Sequence, residues 1–510
     1  MSNHPQEVPK EEEGILNYLL EVRAYLSKLK QNRTQYLNSK EVLSTYQQVL
    51  TKVRELDEIR KNNHSAPSTS ATTLIHDTDL HNRVDSVLDD AFQLLSLCFL
   101  TVGLKNSAPA TYASLSTVQC LLEHLSESNV FTHHDLRPIK ERLDEITKIV
   151  ENSCKTKFDD DDDEVDTELN KNRIEQDLLL KAKLQHCVDE YNKLESQLEE
   201  IPADLTDIME SLFKIRRGLL SLAASSKKGN PIGGESRDEN DSKNILSQEY
   251  LNENLEKYKK DVAKLEAKRD ENGQFVSKEN GNAEKRGQSI LNGLLDDCHD
   301  LINDLSHQTN QGLTLDPCLQ PIYDKLIDIK TTLENLMITR RWTLRETDLF
   351  TYQKTLTEID NLRVKGKFPT KSPDSKGQAI ILYLLRRCYA IIYKLLESSE
   401  PVSESLQPIH NQLSTVRRCL LELKRMGGVN NERELYPYQM KLASLDNLRN
   451  DGKFYDSDGN IPEGQGILNA LLAGCFDIVH ELKVEAEEKE DELEEEEIQQ
   501  QENRVHESYL

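Results

Sequence analysis

The chain has 510 residues, of which 30% are charged, and its formal net charge at pH 7 is −26. A chain this acidic lacks the basic surface that nucleic acids and anionic membranes bind, so we expect neither as a partner. The length exceeds what one hydrophobic core serves, and the low content of glycine, proline and aromatic residues is typical of amphipathic helices. The composition therefore predicts an all-α protein with several cores.

The sequence shows no targeting signal. Its first residues, MSNHPQEVPKEEEG, lack the cationic and apolar regions of a signal peptide, and its longest apolar stretch, near LLSLCFLTVGL, is too short to cross a bilayer. We expect an intracellular protein whose nine cysteines are reduced.

Three kinds of helix follow one another along the chain, and the set is repeated five times. The first carries apolar residues at relative positions 0, 4, 7, 11 and 14, which form one stripe, and its copies begin at Ile15, Thr111, Ile208, Ile322 and Ile409. The second begins with an aromatic or bulky residue at Tyr46, Ile139, Tyr258, Tyr352 and Tyr438. The third lies around Leu88 and Leu184, and its last three copies open with GQSIL, GQAII and GQGIL.

These repeats predict five three-helix units without a β-sheet. Neighbouring units would share apolar faces and form an elongated bundle array or an α-solenoid. Units 1 to 5 are assigned to 14–105, 106–198, 199–308, 309–398 and 399–484. Outside or within them we expect a disordered N-terminal tail (1–13), an acidic loop (155–170), a disordered insertion (225–247) and an acidic C-terminal tail (485–510).

Cysteine and histidine residues do not indicate a cofactor or metal site. Four copies of the third helix place a cysteine at the same position, Cys187, Cys298, Cys388 and Cys475. Equivalent positions of a repeat lie a unit apart, so we interpret these cysteines as small hydrophobic core residues. His133 and His134 have no further ligands that we can assign. We find no phosphate-binding glycine motif and no nucleophile motif, and we expect neither a cofactor nor an enzyme.

One segment has the opposite charge to the rest of the chain. From Tyr323 to Phe454 there are 22 Lys and Arg residues against 16 Asp and Glu, a net charge of +6. Arginine and tryptophan are frequent at interface hot spots, which makes a candidate partner-binding set of Arg340, Arg341, Trp342, Arg345, Arg386, Arg387, Arg417 and Arg418. A solvated face with Trp342 buried in a helix connection is the favoured interpretation of this segment, and contact with the protein's own acidic tail is a third. Ser372, in KSPDSKG, is a candidate phosphorylation site.

A nine-letter pattern ends the second helix of two units. IDNLRVKGKF and LDNLRNDGKF contain Asp360, Arg363, Gly366 and Phe368, and 86 residues later Asp446, Arg449, Gly452 and Phe454. The spacing predicts an Asp–Arg pair at i, i+3, a left-handed glycine that stops the helix and a phenylalanine that folds back onto the apolar face. Because NGQF at 272–275 keeps only the glycine and phenylalanine, we interpret the pattern as a structural joint rather than a site.

The combination of EEEGILNYLLEVRAYLSKL, the GQxIL helices and the two DNLR segments resembles a fungal family of uncharacterised proteins, found in budding and fission yeasts and built on a tandem helical domain of unknown function. The resemblance covers most of the chain. It implies a soluble protein of the cytoplasm and nucleus, and it carries over no active site, cofactor or substrate.

Two hypotheses about function follow. The first is a non-catalytic scaffold or adaptor that presents an extended helical surface to protein partners. The second is a receptor or enzyme for an anionic or phosphorylated small ligand, with the arginines of units 4 and 5 converging on a pocket.

Overall fold

The computed structural model describes residues 8–63, 82–128, 131–155, 167–199, 203–226, 248–269, 274–275, 288, 291–299, 301–302, 305, 316–364, 366–370 and 377–508. Within these ranges the chain is all-α, as predicted, and its extended pairings are isolated β-bridges. The expected structure at 1–7, 156–166 and 227–247 lies outside the described residues, as does Ser372.

Each predicted unit contains three helices. Unit 1 has α1 (Glu13–Gln31), α2 (Ser39–Asn63) and α3 (Arg83–Thr101), and unit 2 has α4 (Tyr112–Ser128), α5 (His133–Lys155) and α6 (Thr167–Glu199). Unit 3 has α7 (Ala203–Ser226), α8 (Gln248–Glu266) and α9 (291–299). Unit 4 has α10 (Gln320–Thr343), α11 (Leu349–Asp360) and α12 (Gln378–Glu397), and unit 5 has α13 (Gln407–Arg425), α14 (Tyr436–Asp446) and α15 (Gln465–Ser508).

Residues of both predicted tails, 1–13 and 485–510, have defined structure. Glu12, expected in the disordered N-terminal tail, is buried, and its carboxylate pairs with the buried Arg60 of α2, which also pairs with Asp85 of α3. At the other end α15 continues through the predicted acidic tail to Ser508, so it measures about 66 Å along its axis.

Unit 4 does not pack only on its neighbours in the chain. α12 lies against α4 of unit 2, and α11 lies against α3 of unit 1. One continuous hydrophobic core therefore runs through units 1 to 4, whereas unit 5 has a separate core. The predicted elongated array or α-solenoid of units that share apolar faces is not confirmed, because unit 4 also packs on units 1 and 2.

The physical reason lies in α12, whose sequence QAIILYLLRRCYAIIYKLLE is apolar on more than one face. Cys388 faces α10 of its own unit, where its thiol contacts the carbonyl of Leu326. Tyr389 instead contacts the ring of His124 on α4, and the Tyr393 hydroxyl donates to a carbonyl of α5. A helix with two apolar faces must be covered on both sides, which draws unit 4 onto unit 2.

The repeated cysteines form a repeated contact within the units. Each is buried, and each thiol lies 3.7–3.8 Å from a carbonyl of the first helix of the same unit. The pairs are Cys187 with Leu115, Cys298 with Leu212, Cys388 with Leu326 and Cys475 with Leu413. Every one of these leucines occupies the same position of the predicted apolar stripe, so the cysteine sets the register between two helices.

The glycines of the DNLR pattern do not stop a helix, which corrects the prediction. α14 ends at Asp446, and Gly452 comes six residues later, in a two-residue turn closed by the bridge between Asn450 and Lys453. Asp451 and Gly452 both have positive φ, 49° and 73°, as a type I′ hairpin turn requires. Gly366 occupies the same place in unit 4 with φ 77°. The turn reverses the chain and delivers the phenylalanine to the core.

A glutamine at the start of the third helix holds that phenylalanine. Its side-chain amide accepts a hydrogen bond from the phenylalanine N–H and donates one to the carbonyl of the same residue, at 2.5–3.1 Å. The pairs are Gln288 with Phe275, Gln378 with Phe368 and Gln465 with Phe454. The GQ and GKF patterns, which look separate in the sequence, are therefore two halves of one joint.

Candidate interaction surface

The five predicted partner-binding residues whose side chains are described have separate surroundings. Arg340, Arg341 and Trp342 belong to the last turn of α10, and their side chains lie outside the described part of the chain. Arg387 is 3.9 Å from Glu334 of α10, while Arg417 and Arg418 are exposed on α13 of unit 5.

Arg345 is buried, contrary to the prediction that it belongs to a partner-binding surface. Its guanidinium makes two hydrogen bonds to the carboxylate of Glu404, at 2.6 and 2.7 Å. It also donates to four carbonyls at and after the end of α1, those of Leu29, Lys30, Asn32 and Gln35. All of its donors are used to join units 1, 4 and 5, so none is left for a partner.

Arg386 is half-buried on α12 and has no hydrogen bond or ion pair with the residues described. The pKa of Arg386 is lowered to about 10, mainly by burial and also by the positive charges of Arg216 and Arg363, while Glu127 and Asp135 act in the opposite direction. Its nearest charged neighbours are therefore not the other arginines of the predicted set.

A cavity of about 280 Å³ lies where units 1, 4 and 5 meet. Arg33 and Arg345 line it, and each is already paired with a carboxylate, Asp348 and Glu404 respectively. Glu346 lies at its wall, and burial raises the pKa of that carboxyl despite a hydrogen bond from Ser399. The cavity thus offers no unpaired arginine to an anionic ligand.

A row of polar contacts holds unit 4 on units 1 and 2. We call this row the unit 4 seam. It joins Lys354 to Asp90 of α3, and it joins Gln353, Asp360 and Arg363 to Thr117, His124 and Glu127 of α4. Phe350, at the start of α11, is buried in the same interface and only 7% exposed. One face of unit 4 is therefore a docking surface for helices α3 and α4.

His124 occupies a slot between two elements of unit 4. Its Nε2 atom is 2.9 Å from Oδ2 of Asp360, and its ring meets the ring of Tyr389 edge-on with centroids 5.4 Å apart. Burial alone would raise the pKa of Asp360, but hydrogen bonding to His124 and the charges of His124 and Arg363 outweigh it, so the pKa is lowered. The Asp–Arg pair predicted at i, i+3 forms here and also contacts unit 2.

The same face of unit 5 is uncovered. Its equivalent residues, 86 positions further along, are Tyr436, Gln439, Met440 and Asp446 on α14 and Arg449 just after it. Phe476 of α15 corresponds to Tyr389. We call these six residues the unit 5 face. Tyr436 is 62% exposed where Phe350 is 7% exposed, and Phe476 is 40% exposed where Tyr389 is 2% exposed. α14 itself packs on α13 and α15 of its own unit.

Neither metal nor membrane features accompany this face. Across the described ranges no three His, Cys, Asp or Glu side chains are grouped to hold a metal ion. No helix in those ranges is both long and apolar enough to span a bilayer.

Comparison with known proteins places the chain in a family. The family described as "Protein of unknown function (DUF2408)" matches residues 198–346, 347–424 and 399–507. The chain belongs to this family. The predicted resemblance to uncharacterised fungal proteins is thereby confirmed.

The relatives of the chain come from budding and fission yeast. It is 73% identical over 507 residues to the Saccharomyces cerevisiae protein named "Cu(2+) suppressing and bleomycin sensitive protein 1", covering 95% of this chain and 92% of that one. It is 39% identical over 494 residues to a CUB1 family protein of Schizosaccharomyces pombe, covering 95% and 96%. No solved structure matches the chain.

One substitution between the repeats indicates the unit 5 face in the sequence. Aligning the second helices of units 4 and 5 pairs Lys354 with Met440, an apolar residue on an otherwise polar side of the helix. The exposed side of α14 is therefore less polar than the equivalent side of α11. Only the structure shows that this side is the docking side in unit 4, because the contacts that cover it come from residues more than 200 positions away.

Proposed function

We propose that the protein is a non-catalytic adaptor that binds another protein through the unit 5 face. The observation that carries this proposal is that the equivalent face of unit 4 is buried against helices of units 1 and 2, whereas in unit 5 it is exposed. A surface built on the same plan and left uncovered is suited to receive a helix from outside the chain.

The energetics support binding at this face. Tyr436, Met440 and Phe476 are large side chains with 62%, 54% and 40% exposure. Covering each one would contribute up to about 1.5–3 kcal/mol, because fully burying a large apolar side chain is worth that much. Large exposed side chains rimmed by polar groups are typical of protein interaction sites.

We also propose that the protein acts in the cytoplasm and nucleus, in keeping with the resemblance described above. The receptor hypothesis has less support. Its arginines have separate surroundings, and the cavity near Arg345 contains arginines that are already paired.

The test is quantitative affinity purification of the tagged full-length chain. One variant carries Tyr436→Ser and Met440→Ser, which removes apolar surface from the unit 5 face. A matched variant carries Met426→Ser and Tyr455→Ser, which removes exposed apolar side chains of unit 5 outside the face. We expect the first variant to lose a specific partner at least tenfold and the second to keep it.

A third variant, Arg417→Glu with Arg418→Glu, tests the basic surface of α13 as the site. Loss of the partner in this variant alone would show that the partner binds the α13 surface and not the unit 5 face. Retention of every co-purifying protein by the first variant, with unchanged thermal stability, would contradict the proposed function.

A further inference from the structure

We infer that the occupant of the unit 5 face is a helix of another protein that places a histidine between Asp446 and Phe476 and a carboxylate, one turn later, against Arg449. This inference rests on the proposed function, because it names the chemistry of the partner at the same face. It follows from comparing the two copies of the face residue by residue.

The residues that form the histidine slot in unit 4 have equivalents in unit 5. In unit 4 the His124 side chain lies between the carboxylate of Asp360 and the ring of Tyr389. In unit 5 Asp446 and Phe476 are the equivalent residues, and both are accessible. A carboxylate beside an aromatic ring favours a flat side chain that donates a hydrogen bond and can carry positive charge, which describes histidine.

The second contact fixes the spacing on the partner helix. Glu127 follows His124 by three residues on α4, and the two side chains contact Asp360 and Arg363. Asp446 and Arg449 are also three residues apart and form the same internal pair, and Arg449 keeps a further contact only to Asn469 of its own unit. A partner helix with His-x-x-Glu or His-x-x-Asp would therefore satisfy both charges of unit 5.

Two observations argue against the α3 and α4 surface of a second copy of this chain as the occupant. The α4 helix, which carries the matching pair, is already covered by unit 4, and His124 is buried in that contact. In addition, Met440 stands where Lys354 contacts Asp90 of α3. In a contact with a second copy, the Asp90 carboxylate would face the thioether of Met440. That thioether cannot replace the ion pair that Asp90 makes with Lys354. The partner therefore has an apolar residue opposite Met440.

The experiment uses the full-length chain with p-benzoylphenylalanine in place of Met440, cross-linked by light in cells of the native host. The cross-linked partner peptide is sequenced by mass spectrometry, and the same probe at Tyr455, outside the face, is the control. We expect a peptide with the His-x-x-Glu or His-x-x-Asp spacing. Arg449→Glu should reduce the yield at least tenfold, and reversing the partner carboxylate to arginine should restore it.

The outcomes separate the inference from the proposed function. An adduct whose peptide lacks this spacing, an adduct with a second copy of the chain, or a charge reversal that fails to restore the yield would overturn the inference while still placing an occupant on the face. The lack of any adduct at position 440 above the level at 455 would overturn both.

Discussion

At the scale of single residues, the same side chain has different surroundings in successive units. The Asp–Arg pair of the DNLR pattern is the clearest case, because its geometry within the helix end is repeated. In unit 4 the pair is half-buried and reaches His124 and Glu127, whereas in unit 5 it is more exposed and stays within its own unit. The pair in unit 5 is therefore a matched control for measuring how much the pair in unit 4 contributes to the free energy of unfolding.

The first prediction compares Asp360→Asn with Asp446→Asn. Asp360→Asn should lower the free energy of unfolding by about 1–3 kcal/mol, because a hydrogen bond to a charged group is lost in a partly buried interface. Asp446→Asn should cost about 1 kcal/mol or less, since an exposed ion pair is worth little. Urea denaturation of both variants measures the difference, and equal costs would contradict the seam described for unit 4.

The pH dependence of this difference has a definite sign. The pKa of Asp360 in the folded protein is lowered, so its contribution to stability is present above the ordinary pKa of an aspartate. It is lost as the pH falls through the lowered pKa. The stability gap between wild type and Asp360→Asn should therefore close in acid. A gap that stays open below the lowered pKa of Asp360 would be inconsistent with this assignment.

A second prediction concerns the thiols. Burial raises the pKa of Cys187 to about 11 and the pKa values of Cys298 and Cys388 to about 12, so their reactive thiolate forms are scarce at neutral pH. Cys318 and Cys419 are exposed. Iodoacetamide should label the two exposed cysteines in the native protein and the repeated cysteines only after unfolding, as peptide mass spectrometry would show. Rapid native labelling of Cys388 would contradict the packing of α12 on α10.

At the scale of elements, the close approach between units 1 and 5 depends on a glycine. Gly103 follows α3 with φ 90°, and a Cβ atom there would lie 2.7 Å from the backbone nitrogen of Ser403. Lys105 adds hydrogen bonds to the carbonyls of Glu397 and Ser399, between α12 and α13. The linker between units 4 and 5 is thus held by the loop after α3.

The third prediction follows from this geometry. Gly103→Ala should destabilise the protein by more than about 1 kcal/mol, because alanine is strained at positive φ and would also displace the linker. The matched control is Gly474→Ala in α15, where a Cβ atom meets nothing within 4 Å. That change should stabilise the helix by about 0.5–1 kcal/mol. Thermal unfolding of both variants, with shifts of opposite sign, is the measurement.

Local features of the elements could be predicted from the sequence, and contacts between distant elements could not. The apolar stripes, the burial of the repeated cysteines and the i, i+3 pair of Asp360 and Arg363 follow from helical spacing alone. The docking of α12 on α4 was missed, although the unusually apolar sequence of α12 hinted at a second buried face. The glutamine joint was missed because its two halves lie 10 to 13 residues apart with no periodic relation.

At the scale of the whole molecule, the separation of the two cores has a thermodynamic consequence. Units 1 to 4 share one hydrophobic core, and unit 5 has its own. Regions with separate cores can open independently, and the smaller one should open first.

The fourth prediction uses one core substitution in each region. Leu442→Ala, in α14, should cost about 2–5 kcal/mol and increase amide hydrogen exchange in unit 5 alone. Leu385→Ala, in α12, should increase exchange in units 1 to 4 together, because the core is continuous there. Hydrogen exchange followed by mass spectrometry tests this division. A uniform increase across the chain for Leu442→Ala would show that unit 5 is not a separate cooperative region.

Because α12 packs on α4, the two surfaces of this contact are synthesised at different times during translation. His124 and Asp360 are 236 residues apart, so at about 5–20 residues per second the α4 surface is synthesised roughly 12–47 s before its partner emerges. During this interval the α4 surface that unit 4 later covers is exposed on the nascent chain. A premature stop after unit 3 would leave this surface uncovered.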